Sequence, residues 1–105
     1  MLREYNVSKS VSVDTSNVVL SEERGEDERT FMSIVNTSTG GQSVSIAFGQ
    51  EAKAGTGIVL YAGGFYSESR EAGFKMNQKN VCAIASAAGA SVAVQERVSM
   101  RSVTP

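Results

Sequence analysis

The chain has 105 residues, 41% of them hydrophobic and 20% charged, which fits one domain with one modest core rather than a disordered tail or a membrane protein. It carries no His and one cysteine, Cys82, so the usual general base and commonest metal ligand are missing, and an internal disulfide or cysteine zinc site is excluded. A formal charge of −1 is the wrong balance for a protein that grips nucleic-acid backbones.

Along the chain the dominant period is two. Val7, Val11 and Val13 alternate with Ser8, Ser10, Ser12 and Asp14, which predicts an extended N-terminal arm, polar on one side and without an evident partner inside the domain. Residues 21–29 hold five carboxylates and Gly25, the pattern of an exposed loop or short helical turn. Phe31, Met32, Ile34 and Val35 around Ser33 predict an inner strand, and Asn36 to Gly41 a turn. Val44, Ile46 and Phe48 against Ser43, Ser45 and Ala47 predict a half-buried strand returning from that turn.

The second half repeats the pattern. A loop over 49–57 leads to an apolar strand, Ile58 to Ala62; Gly63-Gly64 breaks it, and Phe65 to Ser69 resumes as an edge strand. Phe74 reads as a core plug under a loop. Residues 80–86 read as a central strand, small and apolar on both faces. Ala87 to Ala90 is a turn, and Val92, Val94, Glu96 and Val98 alternate with Ala93, Gln95 and Arg97 in the last strand. Alanine favours helix over 83–93, but Gly89 and the β-branched flanks favour a hairpin there. Seven or eight strands of about 4–7 residues at roughly 8–12-residue spacing predict an all-β fold, a small antiparallel β-sandwich of jelly-roll type. The expected core is Met32, Ile34, Val44, Ile46, Phe48, Ile58, Leu60, Phe74, Val81, Ile84, Val92 and Val94.

The candidate chemistry is thin. Ala54-Gly55-Thr56-Gly57 lacks the glycine spacing, the Lys-Ser/Thr pair and the following helix of a phosphate loop, and reads as a turn. Glu22, Glu23, Glu26, Asp27 and Glu28 lack the spacing of a calcium loop and read as a solvated acidic loop. Glu68, Glu71 and Glu96 lie in strand-rich context, with no sign of an acid–base pair across a cleft. Cys82, mid-strand with no His to activate it, is a small core residue. Asn6-Val-Ser8 and Asn36-Thr-Ser38 match the glycosylation pattern, but no apolar leader follows Met1, so both are chance matches. Tyr5, Tyr61 and Tyr66 are candidates for stacking on sugars or bases, though half-buried cover is the commoner role of a tyrosine on a small sheet.

Arg29 to Gly49, Gly57 to Ser69 and Ala83 to Arg97, with the Asn-Thr-Ser turn, the Gly-Gly hairpin and a Val-Gln-Glu-Arg end strand, resemble the small β-sandwich structural proteins of bacteriophage virions, such as capsid decoration (cement) or minor head proteins. The resemblance covers roughly residues 29–97 and no catalytic motif. It implies a non-enzymatic role in the virion, attached to the major capsid protein or to copies of itself. A receptor- or glycan-binding module of a fibre or spike is the alternative, since small phage sandwiches also serve there.

Together these readings expect one domain, with an arm and acidic loop over 1–28 and the sandwich over 29–105. They expect a homo-oligomer, trimer or dimer, whose interface includes Leu2, Tyr5, Val7, Val11 and Val13, because sandwich edges must be paired or covered. No cofactor, metal, nucleic acid or membrane enters. Made in the host cytoplasm, the protein would reside in the virion. Residues 1–52 sum to −4 and residues 53–105 to +3, an asymmetry read as solvated loops of either sign or as contacts within the fold or between subunits.

Overall fold

Alternation with a period of two is realised as strand throughout. The computed structural model describes residues 2–25, 27–70 and 77–101. Eight strands follow one another: β1 (Leu2–Val13), β2 (Val18–Ser21), β3 (Glu28–Asn36), β4 (Val44–Phe48), β5 (Ile58–Leu60), β6 (Phe65–Ser69), β7 (Val81–Ala85) and β8 (Ala90–Arg101). They form two four-stranded antiparallel sheets, β1-β8-β3-β6 and β2-β7-β4-β5. The chain crosses between the sheets at nearly every connection, and the first strand pairs with the last, which is the jelly-roll order.

The N-terminal stretch is extended, and its partner lies within the domain. β1 pairs with β8 without a register break from Leu2↔Arg101 to Val13↔Ala90. The absence of an in-domain partner read from the sequence is therefore corrected. The partner lies almost ninety residues away, beyond the reach of local pattern.

Between the sheets the core gathers Val13, Leu20, Met32, Ile34, Val44, Ile46, Leu60, Val81, Val92 and Val94 with Ala83, Ala85 and Ala90. Phe48 and Ile58, expected in the core, lie half-buried against it, and Phe48 packs on Tyr66 with ring centroids 5.9 Å apart. Ile84, also expected inside, pairs with Ser45 in β4, and alternation from buried Ala83 and Ala85 turns it to the outer face. Phe74 lies outside the described residues.

The two outer faces differ. That of the second sheet is closed by the loop 49–57: Ala52 N–H donates to Asn17 Oδ1 (2.7 Å) and Gly55 N–H to Ser45 Oγ (2.9 Å). Ser45 and Cys82, which face outward, are thereby buried at 2% exposure each. Gly57 makes this crossing possible, with φ +76° and a position whose Cβ would lie 2.6 Å from the Ile46 carbonyl oxygen. Among the described residues no loop covers the outer face of the first sheet, and Ser8, Ser10, Ser12, Ser33, Ser67 and Gln95 lie across it.

The molecule measures 50 × 23 × 22 Å, and the 12-residue strands β1 and β8, each about 40 Å long at strand rise, set its long axis.

Candidate functional site

At one end of the sandwich an ion cluster is buried between the sheets. The alternation of β8 puts Glu96 on the inner face with Val94 and Val98, and its side chain is fully covered. A bulge between Arg29 and Phe31 in β3 turns Arg29 inward beside it. Arg29 Nε donates to Glu96 Oε2 at 3.2 Å, and Arg24 Nη2, from the loop after β2, donates to the same oxygen at 3.0 Å. The rest of the Arg29 fork ties down two loops, reaching the Asn77 and Lys79 carbonyls at 2.6 and 3.2 Å and Ser21 Oγ and the Glu22 carbonyl at 2.9 and 3.2 Å. Gln78 continues the sheet where β6 has ended, accepting from Arg29 N–H at 2.6 Å and donating to Arg29 O at 2.8 Å. Burial works to raise the Glu96 pKa, but the Ser21 hydroxyl and the Arg24 and Arg29 guanidinium groups outweigh it and hold the carboxyl below its ordinary value. This carboxylate is locked in place as an anchor for the end loops.

Of the other sequence candidates, Tyr66 donates to Glu68 Oε2 at 2.8 Å, and burial together with that carboxylate pushes its pKa up to about 12. The turn reading of residues 54–57 holds: Thr56 N–H and hydroxyl both bond the Lys53 carbonyl. Beside it a cleft of about 390 Å³ lies between Phe48, Gln50, Glu51, Lys53 and Ile58. Among the described residues no three acidic or sulfur side chains gather as metal ligands do. Of the acidic stretch 21–29, Ser21 ends β2, Glu28 and Arg29 begin β3, residues 22–25 form a loop with Arg24 turned inward, and Glu26 lies outside the described residues. Arg70–Glu28 and Lys79–Glu23 (both 3.5 Å) join a cation of the second half to an anion of the first, in the sense of the charge asymmetry, whereas the two Glu96 pairs run the other way.

The residues expected at an interface all lie on β1, and several are spent on the interior. Val13 is 1% exposed in the core, and Val11 packs against it. Val7 is half-buried, and Tyr5 is half-buried with its hydroxyl donating to Asp27 Oδ2 at 3.2 Å. Leu2 stands opposite Arg101 in the register.

The opposite end differs in kind. It is built from the loops 14–17, 37–43, 61–64 and 86–89, which contain a single charged residue, Asp14. Asn36, fully buried at the end of β3, organises it: Asn36 Nδ2 donates to the Gln42 and Leu60 carbonyls (both 2.9 Å), and Oδ1 accepts from Ser38 N–H at 3.0 Å. Its backbone accepts from Gly63 N–H and donates to Gly64 O. The turn Tyr61–Gly64 closes through Gly64 N–H to Tyr61 O at 2.7 Å, with Gly63 at φ +82°. Tyr61 (72% exposed) and Phe65 (68%) stand out from this fixed turn, the two most exposed large apolar side chains among the described residues. Sequence reasoning named Tyr61 among three tyrosines but passed over Phe65. The signal was present: Gly63-Gly64 between two aromatics, in a stretch without charge.

No family model matches the chain, and no curated protein matches it. A solved structure described as Bacillus endospore appendages that form a family of disulfide-linked pili superposes with TM-score 0.67 at 16% identity, over 94% of this chain and 87% of that one. The Tobacco streak virus coat protein superposes more loosely, with TM-score 0.46 at 8% identity, over 97% of this chain and 89% of that one. The likeness to the endospore-appendage chain is one of fold.

Proposed function

We propose that the protein is a non-enzymatic structural subunit that docks by its charge-poor end on a repeating protein lattice, the major capsid protein of a bacteriophage shell, and stabilises that shell as a decoration or cement protein. The observation that carries this reading is the charge-poor end itself, with Tyr61 and Phe65 displayed on a hydrogen-bonded turn. Rigid exposed aromatics without neighbouring charge are what the centre of a protein–protein contact is made of. A weak contact suffices on a lattice, where many copies bind, and anything that binds the assembled shell alone stabilises it by mass action. The endospore-appendage neighbour belongs to disulfide-linked pili; here Cys82 is buried at 2% exposure, so the attachment proposed is non-covalent.

The test is thermal disruption of phage shells with and without the protein, together with a Tyr61→Ser/Phe65→Ser variant. Binding and a raised disruption temperature that the variant loses support the reading. Shells that neither bind the protein nor survive to higher temperature refute it. The two exposed rings, on an end whose loops also carry Thr37, Thr39 and Gln42, favour a second reading, glycan stacking in a fibre or spike, which a carbohydrate array distinguishes.

A further inference from the structure

We propose that β1 is a self-association edge, and that two copies of this chain join antiparallel through β1 about a twofold axis at Val7, making one continuous eight-stranded sheet. The sandwich has four edge strands: β1 and β6 in one sheet, β2 and β5 in the other. Three are blunted in familiar ways. β5 has three residues, β6 five, and β2 four with a register shift between Val19 and Ser21. β1 is different: it has 12 residues, no proline and no register shift against β8. One side of its backbone is held by β8, and the other faces away from the sheet. A long straight edge of this kind is a template for another strand.

The sequence of β1 selects a second copy as that strand. In a continuous sheet, paired residues must share a face, so a twofold pairing can shift only in steps that keep even-numbered residues opposite even-numbered ones. Centred on Val7, the pairing sets Asn6 opposite Ser8 and Glu4 opposite Ser10 on the outer, hydroxyl-lined face. On the other face Lys9 lies opposite Tyr5, and among these pairs no like charges stand opposite one another. Lys9, exposed in the single copy, arrives beside the partner's Tyr5, whose hydroxyl donates to Asp27 at 3.2 Å and accepts from Arg24 at 3.5 Å, so that of the two charges there the carboxylate is the closer to that hydroxyl. Moving the axis by one residue, to Asn6 or to Ser8, sets Tyr5 opposite Val7 or Val11 and takes Lys9 away from it, so this contact is lost. The axis at Val7 thus joins the longest edge among the described residues to its own complement, and it is independent of what the charge-poor end binds.

The test begins with the mass of the chain in solution by light scattering, expected at twice 11.1 kDa at tens of micromolar. The Asn6→Lys/Ser8→Lys variant sets four lysines around the axis at exposed positions and is expected to lower the mass about twofold with the circular dichroism spectrum unchanged. Val7→Cys places two thiols at the axis, where strand neighbours about 4.5–5.5 Å apart between Cα atoms lie within disulfide reach. Mild oxidation is expected to give a covalent dimer. Ala93→Cys, on β8 and flanked by strands on both sides, is expected to stay a monomer under the same conditions. A wild-type chain that is monomeric, a lysine variant that stays dimeric, or equal cross-linking through Val7 and Ala93 overturns the proposal. A monomer would leave the edge to a foreign strand.

Discussion

Replacing Arg29 with Met removes the guanidinium from the buried end of the sandwich while keeping an unbranched apolar side chain of similar reach. Five hydrogen bonds between 2.6 and 3.2 Å disappear, one to Glu96, one to Ser21 and three to the carbonyls of Glu22, Asn77 and Lys79. Glu96 keeps Arg24 at 3.0 Å, but Arg24 is 20% exposed and comes from a loop that Arg29 itself helped to hold. Breaking a buried ion pair by removing one partner costs about 3–5 kcal/mol, because the remaining charge stays buried and under-compensated. In a domain of this size that corresponds to a fall in Tm on the order of 20 °C. Far-UV circular dichroism followed through urea and thermal unfolding measures it, with no tryptophan to report by fluorescence. The companion double variant, Arg29→Met with Glu96→Leu, removes both charges and is expected to recover part of the loss. A loss below about 1 kcal/mol for Arg29→Met alone, the scale of an exposed ion pair, would refute the view that this cluster anchors the end loops.

Ile46, 1% exposed between the sheets, is expected to cost roughly 2–5 kcal/mol on replacement by Ala, and a change under about half a kcal/mol in urea midpoints would say its face is inverted. Because the Glu96 pKa is held below its ordinary value, near 4.5, its contribution to stability is present above that pH and is lost as pH falls through the folded-state value; wild-type stability should decline in acid more steeply than that of Glu96→Gln, and parallel curves would contradict this. Gly57→Ala forces a Cβ into the Ile46 carbonyl at φ +76° and should cost at least about 1–3 kcal/mol, whereas Gly25→Ala, with open space around it, serves as the mild comparison in the same thermal melts.

The fold was legible because alternation is a local property. Val44, Ile46, Val92 and Val94 announce a buried face within five-residue windows, and the glycine-rich turns between them set the strand count. What stayed hidden was non-local. Nothing within residues 2–13 says that their partner is 90–101, so β1 read as an arm. Ile84 sits between two buried alanines, and period two alone cannot decide which of two apolar faces of β7 meets the core. Glu96 was placed with the valines by its alternation, yet its cations could not be named, since Arg24 and Arg29 reach it from 72 and 67 residues away. The aromatic end was half legible: Tyr61 stood out by type, while the exposure of Phe65 depends on a turn that Asn36 fixes from another strand.

The placement of β8 between β1 and β3 also sets the order in which the molecule can be made. β4 and β5 are close in sequence and can pair as soon as both exist, and β3 can find β6 across a moderate loop. The twelve residues of β1, the first to appear, have no partner until residues 90–101 are present. Closing so long a loop costs entropy before any contact rewards it, so formation of the first sheet is expected to fall in the slow, millisecond-to-second range of β-rich topologies. During that interval β1 waits as a solvated ribbon. Every second residue from Asn6 to Ser12 is polar, which keeps the ribbon hydrated until β8 arrives.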